Sequence, residues 1–311
     1  VSIILIIGTC GWVRQSQEAG NRPVGYTREC LITVEMNTPQ IYGHYDVMRN
    51  DLIQTGAVKD MADSNSAATQ VWSNNSGFTW DGMAPGTDPT FGTIAVTQDF
   101  GNTVGWTITE GRDFSRSYPA DTGAFILNES AVKLSGIKNP IGKTMHWLGK
   151  DHVITGVVKD MVMESPYKAP VATVFHMQPG WANVITIRVN PKISMSSALK
   201  KIEGVFKIYN PGSPFSYKFI DDEYAKKFSN EQKVGNLATV FAVLAIFISC
   251  LGLFGMASFI AEQRIKEIGV RKVLGATVFN LWRLLSTDFV LLVAISLIIA
   301  TPVAYYFMHN W

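Results

Sequence analysis

Asn236–Ala261 reads NLATVFAVLAIFISCLGLFGMASFIA, 26 residues without a charge. As a helix it extends roughly 39 Å, enough to cross a hydrocarbon core of about 30 Å with some tilt. A soluble core helix is apolar on one stripe; this run is apolar on every face. It therefore reads as a membrane span, and the rest of the chain is organised around it. A second apolar run, Phe289–Met308, is rich in Leu, Ile, Val and Ala and contains Pro302, which predicts a kink. Tyr305, Tyr306, His309 and Trp311 close it as an aromatic interface belt.

The connection between the two runs, residues 262–288, holds Arg264, Lys266, Arg271, Lys272 and Arg283. A short loop with such a Lys/Arg excess belongs on the cytoplasmic side. The span before it then places everything from residue 14 to 235 outside. Arg14, Arg22 and Arg28 follow the first apolar run on that outer side, but long domains translocate largely regardless of charge.

The chain has 311 residues, with 27 Lys and Arg against 25 Asp and Glu. Five and three of these lie after Gly235, so the first 235 residues are balanced. A balanced outer part lacks the basic face that nucleic acid requires. Cys10, Cys30 and Cys250 fit no disulfide framework and no zinc spacing. The chain opens inside an apolar run, Val1–Val13, about 20 Å as helix and short of a full span. Three readings of it stand: the outer end of a truncated spanning helix, a signal-peptide core without a small-x-small cleavage site, and a lipoprotein signal with Cys10 as anchor.

The outer domain, residues 14–235, reads as α+β. Leu31–Val34 and Val184–Val189 are strand-like. Tyr42–Ile53 predicts a helix offering Tyr45, Val47, Met48 and Leu52 for burial. Ser194–Tyr209 predicts a second, capped by Ser194, with Met195, Leu199, Ile202 and Phe206 at helical spacing. Phe215–Ile220 alternates as a strand. Two β-α-β-like units at the ends of one domain imply an insertion, here about 65–179. It is rich in Gly, Pro, Asn, Asp and Thr and reads as mostly β, with runs at Thr93–Thr97, Ala124–Leu127 and Val153–Val158. Asp221–Glu223 suit the first turn of a helix over 221–235, which reads as a stalk into the span unless Gly235 interrupts it.

No catalytic constellation emerges. There is no Gly-x-Ser-x-Gly elbow and no Ser-x-x-Lys. His44, His146, His152, His176 and His309 include no i,i+4 pair suited to a metal. Trp72, Phe78 and Trp80 read either as a local core or as an exposed contact loop.

The stretch Glu262–Thr277, EQRIKEIGVRKVLGAT, carries a stronger signal. With the preceding LGLFGMASFIA it resembles the signature of the MacB/FtsX-like permease family of ABC transporters. The match falls on Arg264, Lys266, Glu267, Ile268, Gly269, Val270, Arg271, Lys272, Leu274, Gly275 and Ala276. In the outer domain the resemblance runs through NRPVGYTRE (Asn21–Glu29), GRDF (Gly111–Phe114), LNES (Leu127–Ser130), NPIGK (Asn139–Lys143) and ITGVVKD (Ile154–Asp160). It covers nearly the whole chain.

The resemblance implies a periplasmic core domain, an inner-membrane location and four spans per repeat. The fourth would then be missing here and the first cut, as in the C-terminal repeat of a double-length member. It implies a separate cytoplasmic ATPase partner; these residues hold no Gly-x-x-x-x-Gly-Lys-Ser/Thr loop to be the nucleotide site themselves. It further implies a transmembrane pair, either a homodimer or two repeats of one chain, and a periplasmic adaptor or substrate protein. Arg264, Lys266, Glu267, Gly269, Arg271, Lys272 and Gly275 would form the coupling helix that receives the ATPase. Glu262–Lys266 and Glu267–Arg271 are i,i+4 pairs worth about 0.2–0.5 kcal/mol each, and Gly275 is suited to a left-handed cap. From charge alone the segment reads as a basic flank that sets topology. The competing reading of the whole is a membrane-anchored sensor or scaffold without an ATPase.

Overall fold

Strands β1 (Leu31–Glu35), β11 (Val184–Val189) and β2 (Val58–Ser64) start the computed structural model's sheet, although 119 residues separate β2 from β11 in sequence. The structure describes residues 24–36, 43–164, 168–178, 183–275 and 294–303, with isolated positions 8, 41, 277, 287, 290, 291, 305 and 306. The other strands are β3 (Asn74–Asn75), β4 (Thr79–Trp80), β5 (Phe91–Val96), β6 (Ile108–Gly111), β7 (Ala124–Asn128), β8 (Thr144–Trp147), β9 (Lys150–Val158), β10 (Thr173–Met177) and β12 (Lys218–Phe219). The helices are α1 (Tyr45–Gln54), α2 (Phe100–Val104), α3 (Glu129–Ser135), α4 (Met195–Tyr209), α5 (Ile220–Gln263), α6 (Ile265–Val273) and α7 (Ala294–Val303).

All strands join one 12-stranded sheet, in the order β12-β1-β11-β2-β5-β10-β7-β9-β8-β4, with β3 on β5 and β6 on β9. The sheet is pinched in its middle. β2 and β5 share a single register pair, Ser64 opposite Val96. Two lobes result, both within the compact unit Arg22–Phe228. The first holds β1, β2, β11 and β12 under α1 and α4. Its core contains Ile32, Met48, Leu52, Met61, Ile185, Ile187, Ile202 and Phe206. The second holds β3 to β10 with α3, around Phe78, Phe91, Phe125, Leu127, Met145 and Val174. Phe78 stacks on Trp147 at 5.0 Å and meets Phe91 edge-on at 5.1 Å, so Phe78 is core. Trp80 packs partly buried against the same cluster, while Trp72 is half exposed.

Strands β5 and β7 are buried along their whole length. That explains their continuous apolar runs, FGTIAV and AFILN, where a half-exposed strand would alternate. Met195, at helical spacing with Leu199 and Ile202, packs only at the core margin; Ala198, Ile202, Val205 and Phe206 carry the buried face of α4. Ser194 occupies the N-cap with extended backbone, but its side chain makes no capping bond. In α1, Val47 points to solvent and Met48 and Leu52 are buried. The helix begins at Tyr45, three residues later than its periodicity predicts. The strand expected over Phe215–Ile220 shrinks to Lys218–Phe219, because Ile220 already opens α5.

Helix α5 runs 44 residues without a break at Gly235. Asp221, Asp222 and Glu223 occupy its first turn, where the helix dipole favours them. From Lys233 to Gln263 it is apolar and almost wholly uncovered. Leu237, Phe241, Leu244, Phe247, Leu251 and Phe254 are each about half exposed or more. Among the described residues it is the one helix long and apolar enough to cross a membrane. Helix α7 is apolar but short, and it contains Pro302. The run Val1–Val13, apart from Gly8, lies outside the described residues, as do His309 and Trp311 and much of Phe289–Met308.

Candidate functional site

The segment that follows the apolar helix is a second, short helix set off by one residue. Arg264 leaves helical geometry (φ −97°, ψ 10°), although its N–H still bonds the Ile260 carbonyl at 3.1 Å. Helix α6 then runs from Ile265 to Val273. Leu274 donates to the Val270 carbonyl at 3.1 Å, and Gly275 donates to the Lys272 carbonyl at 3.2 Å. Gly275 has φ +90°, a conformation that L side chains rarely adopt, so the helix ends at this glycine for a backbone reason.

Lys266, Gly269 and Lys272 are exposed on α6. Glu267 and Arg271 lie within it, with side chains outside the described set. The break at Arg264 falls between Glu262 and Lys266. These two no longer share one continuous helix, and no ion pair joins them among the described residues. The expected i,i+4 pair is thus corrected by one non-helical residue. Ile265, Val270, Val273 and Leu274 are all well exposed beside the lysines. A Cβ on Gly269 would meet nothing within 4 Å. An exposed glycine inside a helix costs roughly 1 kcal/mol relative to alanine. Among the described residues nothing explains that cost.

In the outer domain the short motifs brace the fold. Arg112 grips Asp121 through two bonds of 2.7 Å. Burial works against the Asp121 charge, but Arg112 and the Ser115 N–H outweigh it and hold its carboxyl below the usual value. Asp113 accepts from the Trp106 indole at 2.8 Å; burial pushes its carboxyl up to about 6. Gly111 has φ +69°, and a Cβ there would sit 2.3 Å from the Thr155 carbonyl oxygen. Asn128 caps α3 by accepting from Ala131 at 2.9 Å, accepts from Thr173 at 2.8 Å and donates to the Val171 carbonyl at 2.8 Å. Asp160 holds Ser130 through both its N–H and its hydroxyl, at 2.9 and 2.7 Å. In LNES and ITGVVKD, then, polar side chains close turns.

A polar network bridges the lobes where the sheet is pinched. Asp99, buried before α2, accepts from Tyr45 Oη at 2.9 Å and from Arg116 at 2.6 and 3.2 Å. Arg49 lies 3.4 Å from it and 2.7 Å from Asp60. Arg116 also reaches Asp46 at 2.8 Å. Arg188 on β11 donates to the Thr103 carbonyl at 2.9 Å. Asp63 is buried here, and burial, with Asp46 nearby, pushes its carboxyl up to about 8. None of these acids stands out in sequence; only the shared pinch explains them together.

His176 is buried against Trp147 and Phe125, and burial lowers its pKa to about 4. His152 stacks on Phe125 at 4.0 Å, and His146 bonds Asp151. Among the described residues no group of three or more His, Cys, Asp and Glu side chains gathers as a metal site.

Residues 1–205 match the model of the MacB-like periplasmic core domain, and residues 239–311 match the FtsX-like permease C-terminal model. The chain belongs to the MacB/FtsX-like permease family. Members of this family are inner-membrane proteins with a periplasmic domain. The macrolide export ATP-binding/permease protein MacB of Aggregatibacter actinomycetemcomitans is 25% identical over 168 residues, covering 50% of this chain and 26% of that protein. The protein of the same name from Mannheimia succiniciproducens is 24% identical over 189 residues, 57% of this chain and 29% of that one. The chain thus spans about a quarter of the length of these relatives. The crystal structure of the periplasmic region of MacB from Actinobacillus actinomycetemcomitans aligns with a TM-score of 0.47 at 14% identity, over 68% of this chain and 99% of that one.

Within this MacB/FtsX-like chain, the periplasmic-core match takes in GRDF, LNES, NPIGK and ITGVVKD. The FtsX-like match takes in most of the apolar part of α5 and the whole of α6. The exposed cationic helix and the braced outer domain therefore belong to the two halves of the family's architecture.

Proposed function

We propose that this chain is the transmembrane permease part of an ABC transporter, and that a separate cytoplasmic ATPase drives its outer domain through α6. The observation that carries the reading is α6 itself, an uncovered helix of exposed lysines and apolar side chains with an open glycine face, one residue beyond the spanning helix. An open Gly269 lets another backbone approach closely, which would offset its cost to the helix. Lys266, Lys272, Arg264 and Arg271 supply positive charge for an acidic groove, and Glu267 and Gly275 complete the contact.

In this reading residues 262–288 are cytoplasmic and residues 14–235 periplasmic. Residues 1–13, 236–261 and 289–308 are spans, and a fourth span completes the repeat. The transmembrane pair is a homodimer or two repeats of one chain. Helix α5 carries motion outward by being continuous from the apolar part to the outer domain. The relatives named for macrolide export favour export or extraction of a periplasmic substrate, with an adaptor or substrate protein meeting the outer domain. The lipid bilayer is the remaining partner. No nucleic acid is involved, and no covalent chemistry is assigned to this chain.

The test is affinity purification of the full-length protein in mild detergent, followed by mass spectrometry. A soluble ATPase with a Gly-x-x-x-x-Gly-Lys-Ser/Thr loop is expected. Arg271→Glu and Gly269→Leu should each abolish its recovery while membrane insertion is unchanged. An ATPase that binds both variants as well as the wild type would refute the role of α6. No ATPase across several detergents, even with trapped nucleotide, would leave an anchored sensor as the better account.

A further inference from the structure

The base of α5 presents one face to the outer domain: Ile220 and Tyr224 are buried, Glu223 and Lys227 half-buried, and Asp221, Asp222, Ala225 and Lys226 exposed. This is the helical period, and it touches both lobes. Toward the first lobe, the Arg28 guanidinium lies 4.2 Å over the Tyr224 ring and 3.7 Å from Asp221. Toward the second, Lys227 Nζ donates to two backbone carbonyls, those of Thr69 and Met163. Thr69 lies in the segment linking β2 to β3, and Met163 in the segment linking β9 to β10. One ammonium therefore joins the helix to two separate segments, each of which runs directly into a strand of the second lobe, β3 and β10.

We propose that Lys227 is the pin through which α5 holds and moves the second lobe. The lobes also meet at one ladder pair, at the bonds joining Asp63 to Thr97 and Asn65 to Ala95, at helix α2, whose Phe100 packs on Phe175 and which contacts β2 and β11, and at the network around Asp99. A helix tied only to the first lobe would leave the second to follow through that pinch. With Lys227 in place, the helix bears on both. The ammonium is well suited to the task, because carbonyl oxygens on two strands of chain can share its three donors. Burial pushes its pKa down to about 8, while Glu164 and Glu223 nearby favour its charge. Met161, Val162 and Met163 are themselves buried, so a pull on the Met163 carbonyl is passed to packed structure. The reading of α5 as the carrier of motion is that of the proposed function; the pin itself is a feature of the outer domain alone.

The test uses the full-length protein in nanodiscs, as wild type, Lys227→Arg and Lys227→Met. Amide hydrogen exchange is followed in residues 66–72 and 161–163 without nucleotide. Lys227→Met should raise exchange there by about tenfold or more, the factor that loss of a charge-assisted bond supports. Lys227→Arg should stay within about twofold of wild type, since a guanidinium can reach two carbonyls. Exchange in β1 and β11 should not change. Wild-type protection in Lys227→Met would overturn the pin, and so would a rise spread evenly over the domain. Neither measurement needs an ATPase, so failure of the coupling reading shows separately, as a wild type whose second lobe ignores trapped nucleotide. Where the wild type does respond, the ATPase bound to Lys227→Met should hydrolyse ATP normally while that response is lost; a retained response would overturn the pin.

Discussion

Replacing Asp99 with Asn tests whether the two lobes are held by charge at the pinch. Asp99 is 6% exposed and accepts from Tyr45 and twice from Arg116, with Arg49 at 3.4 Å. Asparagine keeps the shape but removes the charge, and its amide would point a donor at donors. Breaking a buried pair from one side costs about 3–5 kcal/mol. The Arg116 side chain is 43% exposed, so water recovers part of that loss. The expected cost is about 2–4 kcal/mol, with the lower end set by screening. For a domain of this size it lowers Tm by about 5–15 °C. The assay is thermal unfolding of the full-length protein, read through tryptophan fluorescence, for Asp99→Asn, Tyr45→Phe, whose hydroxyl crosses from α1 to Asp99, and the double variant. The pair should be non-additive by about 1 kcal/mol or more, because each substitution removes the same bond. A single-site loss below about 1 kcal/mol, or strict additivity, would show that packing alone joins the lobes.

Two further outcomes follow from the same geometry. Gly111→Ala should destabilise the outer domain by about 2–4 kcal/mol, since a Cβ would press on the Thr155 carbonyl at a backbone φ of +69°; a variant with wild-type denaturant midpoint would contradict the close approach. Asp63, raised to about 8 from 3.8, keeps its proton longer when folded. Its contribution to stability is therefore full below about pH 4 and is lost as pH rises toward 8. Asp63→Asn should remove that slope, so the variant gains on the wild type between about pH 5 and 8.5, and His176, whose lowered pKa acts in the opposite sense below 6.5, cancels in the comparison. A gap between the two proteins that does not change with pH would refute the buried protonated carboxyl.

The periodic parts of the chain could be read from sequence because one force dominates them. Leu31–Glu35, Val184–Val189 and Met195–Tyr209 each have an apolar pattern that only one element satisfies. The apolar part of α5 was legible as one long helix for the same reason, since its 26 uncharged residues are apolar on every face and the helix is almost wholly uncovered there. Strand β2, VKDMADS, was not legible, because its two acids break the apolar pattern for reasons that lie outside the strand. Asp60 serves Arg49 of the preceding helix, whereas Asp63 is buried with a carboxyl oxygen that has no hydrogen-bond partner among the described residues and is held through its backbone N–H, which donates to the Thr97 hydroxyl. Lys227 gave no signal either: a lysine on a helix looks alike whether it faces water or a pair of carbonyls 64 and 158 residues away in sequence. On α6 the residues could be named but not the break at Arg264, which no propensity of arginine foretells.

The distribution of motif residues bears on how such a domain works. Gly111, Arg112, Asp113, Asn128, Ser130 and Asp160 all spend their chemistry on turns, caps and close approaches within the second lobe. Polar side chains are used to make each lobe stiff, while the ladder between the lobes narrows to one pair, so under the proposed function the lobes would move as two bodies. Stiffness inside a lobe and freedom between lobes are what a pushed part requires, because a soft lobe would absorb the displacement. The contacts that decide the outcome then include those that cross the pinch: Asp99 with Tyr45 and Arg49, Arg116 with Asp46, Arg188 with Thr103, and Lys227 at the helix base. Substitutions there should change how far motion travels, whereas substitutions in GRDF or LNES should change whether the domain folds at all.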